Sequence, residues 1–258
     1  MSAILALAFV TLREALRQKL AVNLLLFAVL VMIGSVVVSE LTFGDQYRII
    51  SDLALTSAQV FGTLIAVFLG GALVAGDVQR RVLYPILAKP VSRWQYLLGR
   101  YAGLVATLWL NLAVMALTTL VVLAFYSGEV TRGVAGPVPL GLVLAAFGGL
   151  AAQLAVAAAI ALLFSSITNA TLAAIFTLAV VVSGQFVREM LVFWRGLAPL
   201  RAVGLLLPNL AALDLKVALV YRDPIPGGLL GMALLQAALY VAISLALASA
   251  IFSRRDLK

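Results

Sequence analysis

Long apolar runs alternate with short polar segments along most of the chain. Each run reaches the roughly 20 residues that a helix needs to cross the hydrocarbon core of a bilayer. Because the runs are continuous and lack a period of two, they are typical of helices rather than of barrel strands. The pattern predicts an all-α membrane protein with six transmembrane helices. The predicted spans are 20–39, 53–75, 101–126, 138–164, 170–193 and 228–252.

Residues 1–19 precede the first span and have an amphipathic pattern. Apolar side chains such as Ile4, Ala8 and Leu12 share one helical face, and the charged residues lie elsewhere. This pattern is typical of a helix that lies in the membrane interface. The apolar run that follows is too long for the h-region of a signal peptide. We therefore expect an N-terminal interfacial helix that is retained.

The charged residues separate by loop. If successive loops lie on alternate sides, one side has eleven basic and three acidic residues, and the other has seven of each. The formal charge of +8 then lies wholly on the first side, which the positive-inside rule makes cytoplasmic. Both termini are predicted to be cytoplasmic, and the basic composition requires no nucleic-acid partner. With 64% apolar residues, the chain is predicted to be a single membrane domain over 1–258.

Several kinds of chemistry are excluded by residues that the sequence lacks. It contains no His and no Cys, so imidazole bases, thiol nucleophiles and His/Cys metal sites are not expected. None of its lysines belongs to a Gly-Lys-Ser/Thr phosphate loop, so any ATPase would be a separate polypeptide. The predicted spans also lack the mid-membrane charges of ion-coupled transporters. Neutral Asn111 and Gln153 lie near mid-span, and they either join helices or line a substrate path.

Two connecting segments are longer than a simple loop requires. The cytoplasmic segment 76–100 combines apolar residues at helical spacing with Arg80 and Arg81, which predicts a short amphipathic helix. Its basic residues are also explained by positive-inside retention and by contact with anionic headgroups. The external segment 194–227 is too apolar for a free loop. We expect it to form short helices that dip into the membrane surface and break at Pro208.

Small residues recur at every fourth position on two predicted spans. One set is Gly62, Ala66 and Gly70, and the other runs from Ala238 to Ala250. Such faces allow helices to approach closely. They serve either packing within the subunit or a dimer seam.

Four features of the sequence resemble the permease subunits of ABC type-2 transporters, the exporter family that includes the nitrous-oxide-reductase maturation permeases. They are the acidic residue after the second span, LAKPVSRWQYLLGRY at 87–101, LLPNL at 206–210 and FSRRDL at 252–257. The resemblance covers essentially the whole chain. Many members have Gly-Thr after the acidic segment, where this chain has Arg81 and Val82 or nearby residues. That departure leaves the subfamily and the substrate open.

The resemblance implies a site for an ATPase partner. In that family the loop between the second and third spans holds a coupling helix that fits into a groove of the ATPase subunit. By resemblance, the coupling residues are Asp77, Arg80, Arg81, Leu83, Tyr84, Pro85, Lys89, Pro90 and Arg93. The family also implies ABC ATPase subunits that carry ATP and Mg, with no cofactor bound by this chain.

Further partners follow from the same resemblance. They are a second copy or a related permease, membrane lipid and a periplasmic accessory protein, in a bacterial cytoplasmic (inner) membrane. The external residues Pro208, Asn209 and Asp214 would form a gate or the docking site of the accessory protein. A plain interfacial cap explains them equally well.

The leading interpretation is a permease subunit of an ATP-driven exporter for an amphipathic or hydrophobic substrate. One alternative is an ATP-independent channel or carrier, and another is a membrane scaffold of an envelope complex. An intramembrane enzyme is disfavoured because the spans offer no paired carboxylates and no His for acid–base or metal chemistry.

Overall fold

The computed structural model describes residues 3–40, 46–79, 92–127, 140–193, 204, 207–223 and 227–254. Over these ranges the chain is almost wholly helical and contains no strand. A 3-10 turn covers Leu210–Leu213. The helices are α1 (Ala3–Leu16), α2 (Lys19–Glu40), α3 (Gln46–Gln79), α4 (Arg93–Ser127), α5 (Leu140–Ile167), α6 (Ala170–Gln185), α7 (Val187–Phe193), α8 (Lys216–Tyr221) and α9 (Gly227–Arg254).

Five of the described helices, α2, α3, α4, α5 and α9, are long and apolar enough to cross a bilayer. α6 is a shorter apolar helix of 16 residues. This set confirms the prediction of an all-α membrane protein with about six spans. At a rise of 1.5 Å per residue, α3 and α4 are each about 50 Å long, so their ends extend beyond a hydrocarbon core of about 30 Å.

The apolar run 170–193 differs from the single helix that the sequence predicts. The helix breaks at Phe186, whose N–H donates to the carbonyl of Ser183. This i to i−3 bond tightens and ends α6, and α7 follows. The break coincides with a close contact, because a Cβ added at Gly184 would lie 2.7 Å from the carbonyl oxygen of Pro208. A second chain segment therefore packs against the end of α6.

α5 is the central helix of the bundle. It packs against α3, α4, α6 and α9 and is the most deeply buried of the candidate spans. The small residues on α3 face it, since a Cβ at Gly62 would lie 2.8 Å from Leu154 and one at Gly70 would lie 2.6 Å from Ala161. These glycines therefore serve packing within the subunit. The small face from Ala238 to Ala250 on α9 is exposed instead.

α1 lies along the first part of α4, and glycines make the close approach possible. A Cβ at Gly99 would lie 2.6 Å from the Cβ of Leu7, and one at Gly103 would lie 2.5 Å from the Cβ of Thr11. Side chains at these two positions would keep the helices apart. The absence of side chains there brings polar residues of α1 within reach of α4.

Candidate functional site

The segment 76–100 is not loop throughout, because its two ends belong to α3 and α4. Asp77 lies in the last turn of α3, and Arg93 and Arg100 lie in the first turns of α4. Asp77 and Arg100 are only 7% and 4% exposed. Two charged residues at the ends of this segment are thus buried among helices.

Arg100 is the centre of a buried ion cluster. One of its terminal nitrogens donates to the carboxylate of Asp77 on α3. The other donates to Glu14 at 2.9 Å and to the hydroxyl of Thr11 at 3.1 Å, both on α1. We refer to Thr11, Glu14, Asp77, Tyr96 and Arg100 as the ion cluster. It joins α1, α3 and α4 through one guanidinium group.

Tyr96 connects the ion cluster to the end of α9. Its hydroxyl donates to the same Asp77 oxygen that accepts from Arg100, and its side chain is fully buried. The ring stacks on Phe252 of α9, with centroids 5.8 Å apart. Arg93 lies near the same place and donates to the carbonyls of Phe252 and Ser253 at 2.9 and 2.7 Å. Arg93 therefore caps carbonyls at the C-terminal end of α9.

The energetics of the ion cluster favour its staying intact. A buried charge is costly to leave without a partner, and loss of one partner of a buried pair typically costs about 3–5 kcal/mol. Here the single cation faces two carboxylates, and Glu14 is the more exposed of the two, at 45% against 10% for the Asp77 side chain.

A cavity of about 190 Å³ adjoins the cluster and is lined by Glu14 and Asp77 together with apolar residues of α3 and α4.

A serine of α5 contacts the backbone of α3 just before Asp77. The hydroxyl oxygen of Ser165 accepts from the N–H groups of Val74 and Ala75 at 3.1 and 3.0 Å. The same hydroxyl donates to the carbonyl of Gly71 at 2.8 Å. In an α-helix the N–H of Ala75 would pair with the carbonyl of Gly71. A side chain from another helix thus shares in the hydrogen bonding of this turn.

A second polar group lies deeper in the bundle, around Gln153 of α5. Its side-chain nitrogen donates to the backbone carbonyl of Leu210 at 2.7 Å. Its side-chain oxygen lies 3.5 Å from the amide nitrogens of both Gln59 and Gln185. Gln153 therefore joins α3, α5 and α6 to the 3-10 turn. Asn111, by contrast, donates within its own helix to the carbonyl of Thr107.

The segment 207–213 rests on glycines of two helices. The carbonyl oxygen of Leu213 would lie 2.4 Å from a Cβ at Gly149 of α5, in addition to the contact between Pro208 and Gly184. The side-chain oxygen of Asn209 is buried and has no hydrogen-bond partner among the described residues. Asp214 is exposed and accepts at 3.0 Å from the N–H of Lys216, the first residue of α8. Close backbone contact therefore fixes this segment.

The predicted site residues divide into three groups. Asp77, Arg93, Gln153 and Pro208 contact other helices, whereas Asn111 and Asp214 bond locally, and the side-chain oxygen of Asn209 is buried without a hydrogen-bond partner among the described residues. The loop residues Arg80, Arg81, Leu83, Tyr84, Pro85, Lys89 and Pro90 lie outside the described residues.

Sequence reasoning missed Glu14, Tyr96, Arg100 and Ser165 as site residues. One signal was present for Glu14, because it is one of only three acids on the strongly basic side. Asp77 is another of those three, and both contact Arg100. Within the described part of the chain, no group of three or more acidic, His or Cys residues is placed to hold a metal ion.

The comparison with known families gives a clear assignment. A family model described as "ABC-2 family transporter protein" matches residues 2–257. The chain belongs to the ABC-2 transporter family. No curated protein sequence matches it significantly. As an ABC-2 protein it is a membrane permease component of an ABC transporter, a class that works with ABC ATPase subunits.

Proposed function

We propose that this ABC-2 protein is the permease subunit of an ATP-driven exporter, coupled to separate ATPase subunits through residues 76–100. The observation that supports this proposal most strongly is the anchoring of both ends of that segment. Asp77 anchors one end in the ion cluster, and Arg93, Tyr96 and Arg100 anchor the other. A segment held at both ends can pass the movement of a partner to the helices.

The anchors determine which helices would move together. Force on the segment reaches α3 through Asp77 and α1 through the contact between Arg100 and Glu14. It reaches α9 through Arg93 and through the stacking of Tyr96 on Phe252. ATP-driven closure of the ATPases would thus act on α1, α3, α4 and α9 as a group. Separating the charged groups of the ion cluster would cost several kcal/mol. The helices that carry them should therefore move together.

The remaining elements of the proposal follow the family. ATP and Mg would lie on the ATPase subunits. The permease would pair with a second copy or a related permease, and the exposed small face from Ala238 to Ala250 offers a flat surface for close helix packing. The complex would lie in a bacterial inner membrane and move an amphipathic or hydrophobic substrate. The segment 207–213 would close the external end or meet a periplasmic accessory protein.

The test is purification of the tagged protein in mild detergent after expression with its native genomic neighbours. Mass spectrometry would identify co-purified proteins, and ATP hydrolysis would be measured on the complex. We expect an ABC ATPase to co-purify with the wild type and to dissociate from an Arg80→Ala/Tyr84→Ala variant. A permease that purifies without any ATPase would contradict the proposal and favour a carrier or a scaffold.

A second variant separates ATPase docking from coupling. Asp77→Asn weakens the ion cluster at the start of the coupling segment and leaves Arg80, Tyr84 and the other loop residues unchanged, so the ATPase should stay bound. Hydrolysis should then lose its response to the membrane subunit. A matched control is Asp223→Asn, which removes an exposed carboxylate that makes no ion pair among the described residues. If Asp77→Asn and Asp223→Asn behave alike, the ion cluster has no part in coupling.

A further inference from the structure

α1 has two different faces. One face packs on α4 at Gly99 and Gly103. The other exposes large apolar side chains, and Leu5, Phe9 and Val10 are 60%, 60% and 56% exposed. In a membrane protein such side chains contact lipid, and a short helix of this kind lies at the boundary of headgroups and acyl chains.

Two arginines lie beside this apolar face. Arg13 lies in the last turn of α1, Arg17 directly follows that helix, and both are exposed. Together with Phe9, Val10 and Glu14 they line a groove of about 480 Å³. In the described part of the chain neither arginine makes an ion pair, whereas Glu14 is already paired with Arg100. The groove is therefore basic at one end and apolar at the other.

We propose that this groove binds one anionic phospholipid, with the phosphate between Arg13 and Arg17 and an acyl chain along Phe9 and Val10. The groove matches such a lipid in charge and in shape. Guanidinium groups match phosphate oxygens in geometry and charge, and an anionic leaflet attracts basic residues at its surface. A zwitterionic lipid has no net negative charge, so the two arginines would attract it less than an anionic lipid.

The site adjoins the ion cluster. Glu14 lines the groove and also accepts from Arg100. A lipid in the groove would therefore contact the exposed face of α1, whereas Arg100 contacts the side of α1 that packs on α4. Any effect of the lipid on ATP coupling rests on the proposed function, whereas the binding itself does not.

The experiment measures lipid binding by the purified chain without an ATPase. Association of spin-labelled phosphatidylglycerol and phosphatidylcholine would be compared in reconstituted bilayers. Each basic residue near an anionic surface contributes about fivefold in affinity, so Arg13→Gln/Arg17→Gln should weaken phosphatidylglycerol binding about 30-fold. Binding of phosphatidylcholine should stay unchanged. The preference should also weaken with added salt.

Two further variants make the test specific. Arg255→Gln/Lys258→Gln removes the same charge from the same predicted membrane side, and binding should stay near the wild-type value. Glu14→Gln removes a negative charge from the groove and should tighten binding, which a merely destabilising change would not do. An equal loss of phosphatidylglycerol binding in both double variants would show that only the net charge matters. That result would overturn the proposed site. An unchanged affinity in Arg13→Gln/Arg17→Gln would overturn it as well.

The result is independent of the proposed function. Loss of lipid preference in Arg13→Gln/Arg17→Gln supports the site whether or not an ATPase co-purifies with the chain. Conversely, an ATPase that co-purifies while lipid preference stays unchanged would leave the permease proposal standing and remove the lipid site.

Discussion

The side-chain amide of Gln153 donates a 2.7 Å hydrogen bond to the backbone carbonyl of Leu210, which lies 57 residues further along the chain. The bond connects the central helix to a segment that enters the bundle without forming a full helix. Non-helical backbone is tolerated at membrane depth only where protein groups satisfy it. Gln153 is one of those groups, which explains a polar side chain in the middle of an apolar helix.

Gln153→Leu should lower the stability of the segment 207–213. The change removes the donor to Leu210 and leaves a buried carbonyl without that partner, at a cost of about 1 kcal/mol. The measurement is unfolding by denaturant in mild detergent, together with proteolysis of the segment. Asn111→Leu is the matched control, because Asn111 bonds within its own helix. Equal destabilisation by the two changes would argue against a special role for the Leu210 contact.

Arg100→Gln should be among the most destabilising single changes in the ion cluster. It leaves the buried Asp77 carboxylate without its cation, and loss of a partner of this kind costs about 3–5 kcal/mol. The double variant Asp77→Asn/Arg100→Gln should recover part of the loss, since both buried charges are gone. A double-mutant cycle on the free energy of unfolding measures the coupling. Strict additivity of the two changes would contradict the direct pair.

Gly103→Val should displace α1 from α4. The added side chain would meet Thr11 and the carbonyl of Ala8, which lie 2.5 and 2.6 Å from a Cβ at this position. Overpacking of this kind costs about 1–3 kcal/mol. Gly148→Val is the control, because nothing lies within 4 Å of a Cβ there. Thermal unfolding in detergent should show a lower midpoint for Gly103→Val alone, and equal midpoints would refute the close contact.

Arg93→Ala should loosen the end of α9. Arg93 donates to the carbonyls of Phe252 and Ser253, and a cation at a helix C-terminus contributes about 0.3–1 kcal/mol. Hydrogen exchange of the last turn should therefore rise by roughly two- to fivefold. Arg93→Lys keeps the positive charge and should restore part of the protection. Unchanged exchange in Arg93→Ala would show that the stacking of Phe252 on Tyr96 holds α9 without help.

The sequence was sufficient for the class of fold, because continuous apolar runs have few structural solutions in a bilayer. It was not sufficient for the break at Phe186. The Ser183-Gly184 pair is a weak local signal of a break, but the sequence does not show that the carbonyl of Pro208 lies against Gly184. Periodicity describes one segment at a time. It carries no information about a distant segment that packs against it.

The site could be predicted only in part, because its contacts also join distant parts of the chain. Resemblance to the family pointed to Asp77 and Arg93, but the contacts of Arg100 with Glu14 and Asp77 span 86 and 23 residues. The contact with Glu14 depends on how α1 lies along α4, which Gly99 and Gly103 make possible. The few acidic residues on the strongly basic side could have indicated the ion cluster. A carboxylate that has many basic residues near it is expected to pair with one of them.

The contact of Ser165 with α3 has a consequence for bending. A helix in hydrocarbon resists opening its backbone hydrogen bonds, since each freed group would cost several kcal/mol. At the turn from Gly71 to Ala75, the hydroxyl of Ser165 already bonds to one carbonyl and two N–H groups. If this turn opens, those groups keep a partner. Opening this turn should therefore cost less than opening other turns of α3, and a bend here would move the stretch that carries Asp77 relative to the part that packs on α5.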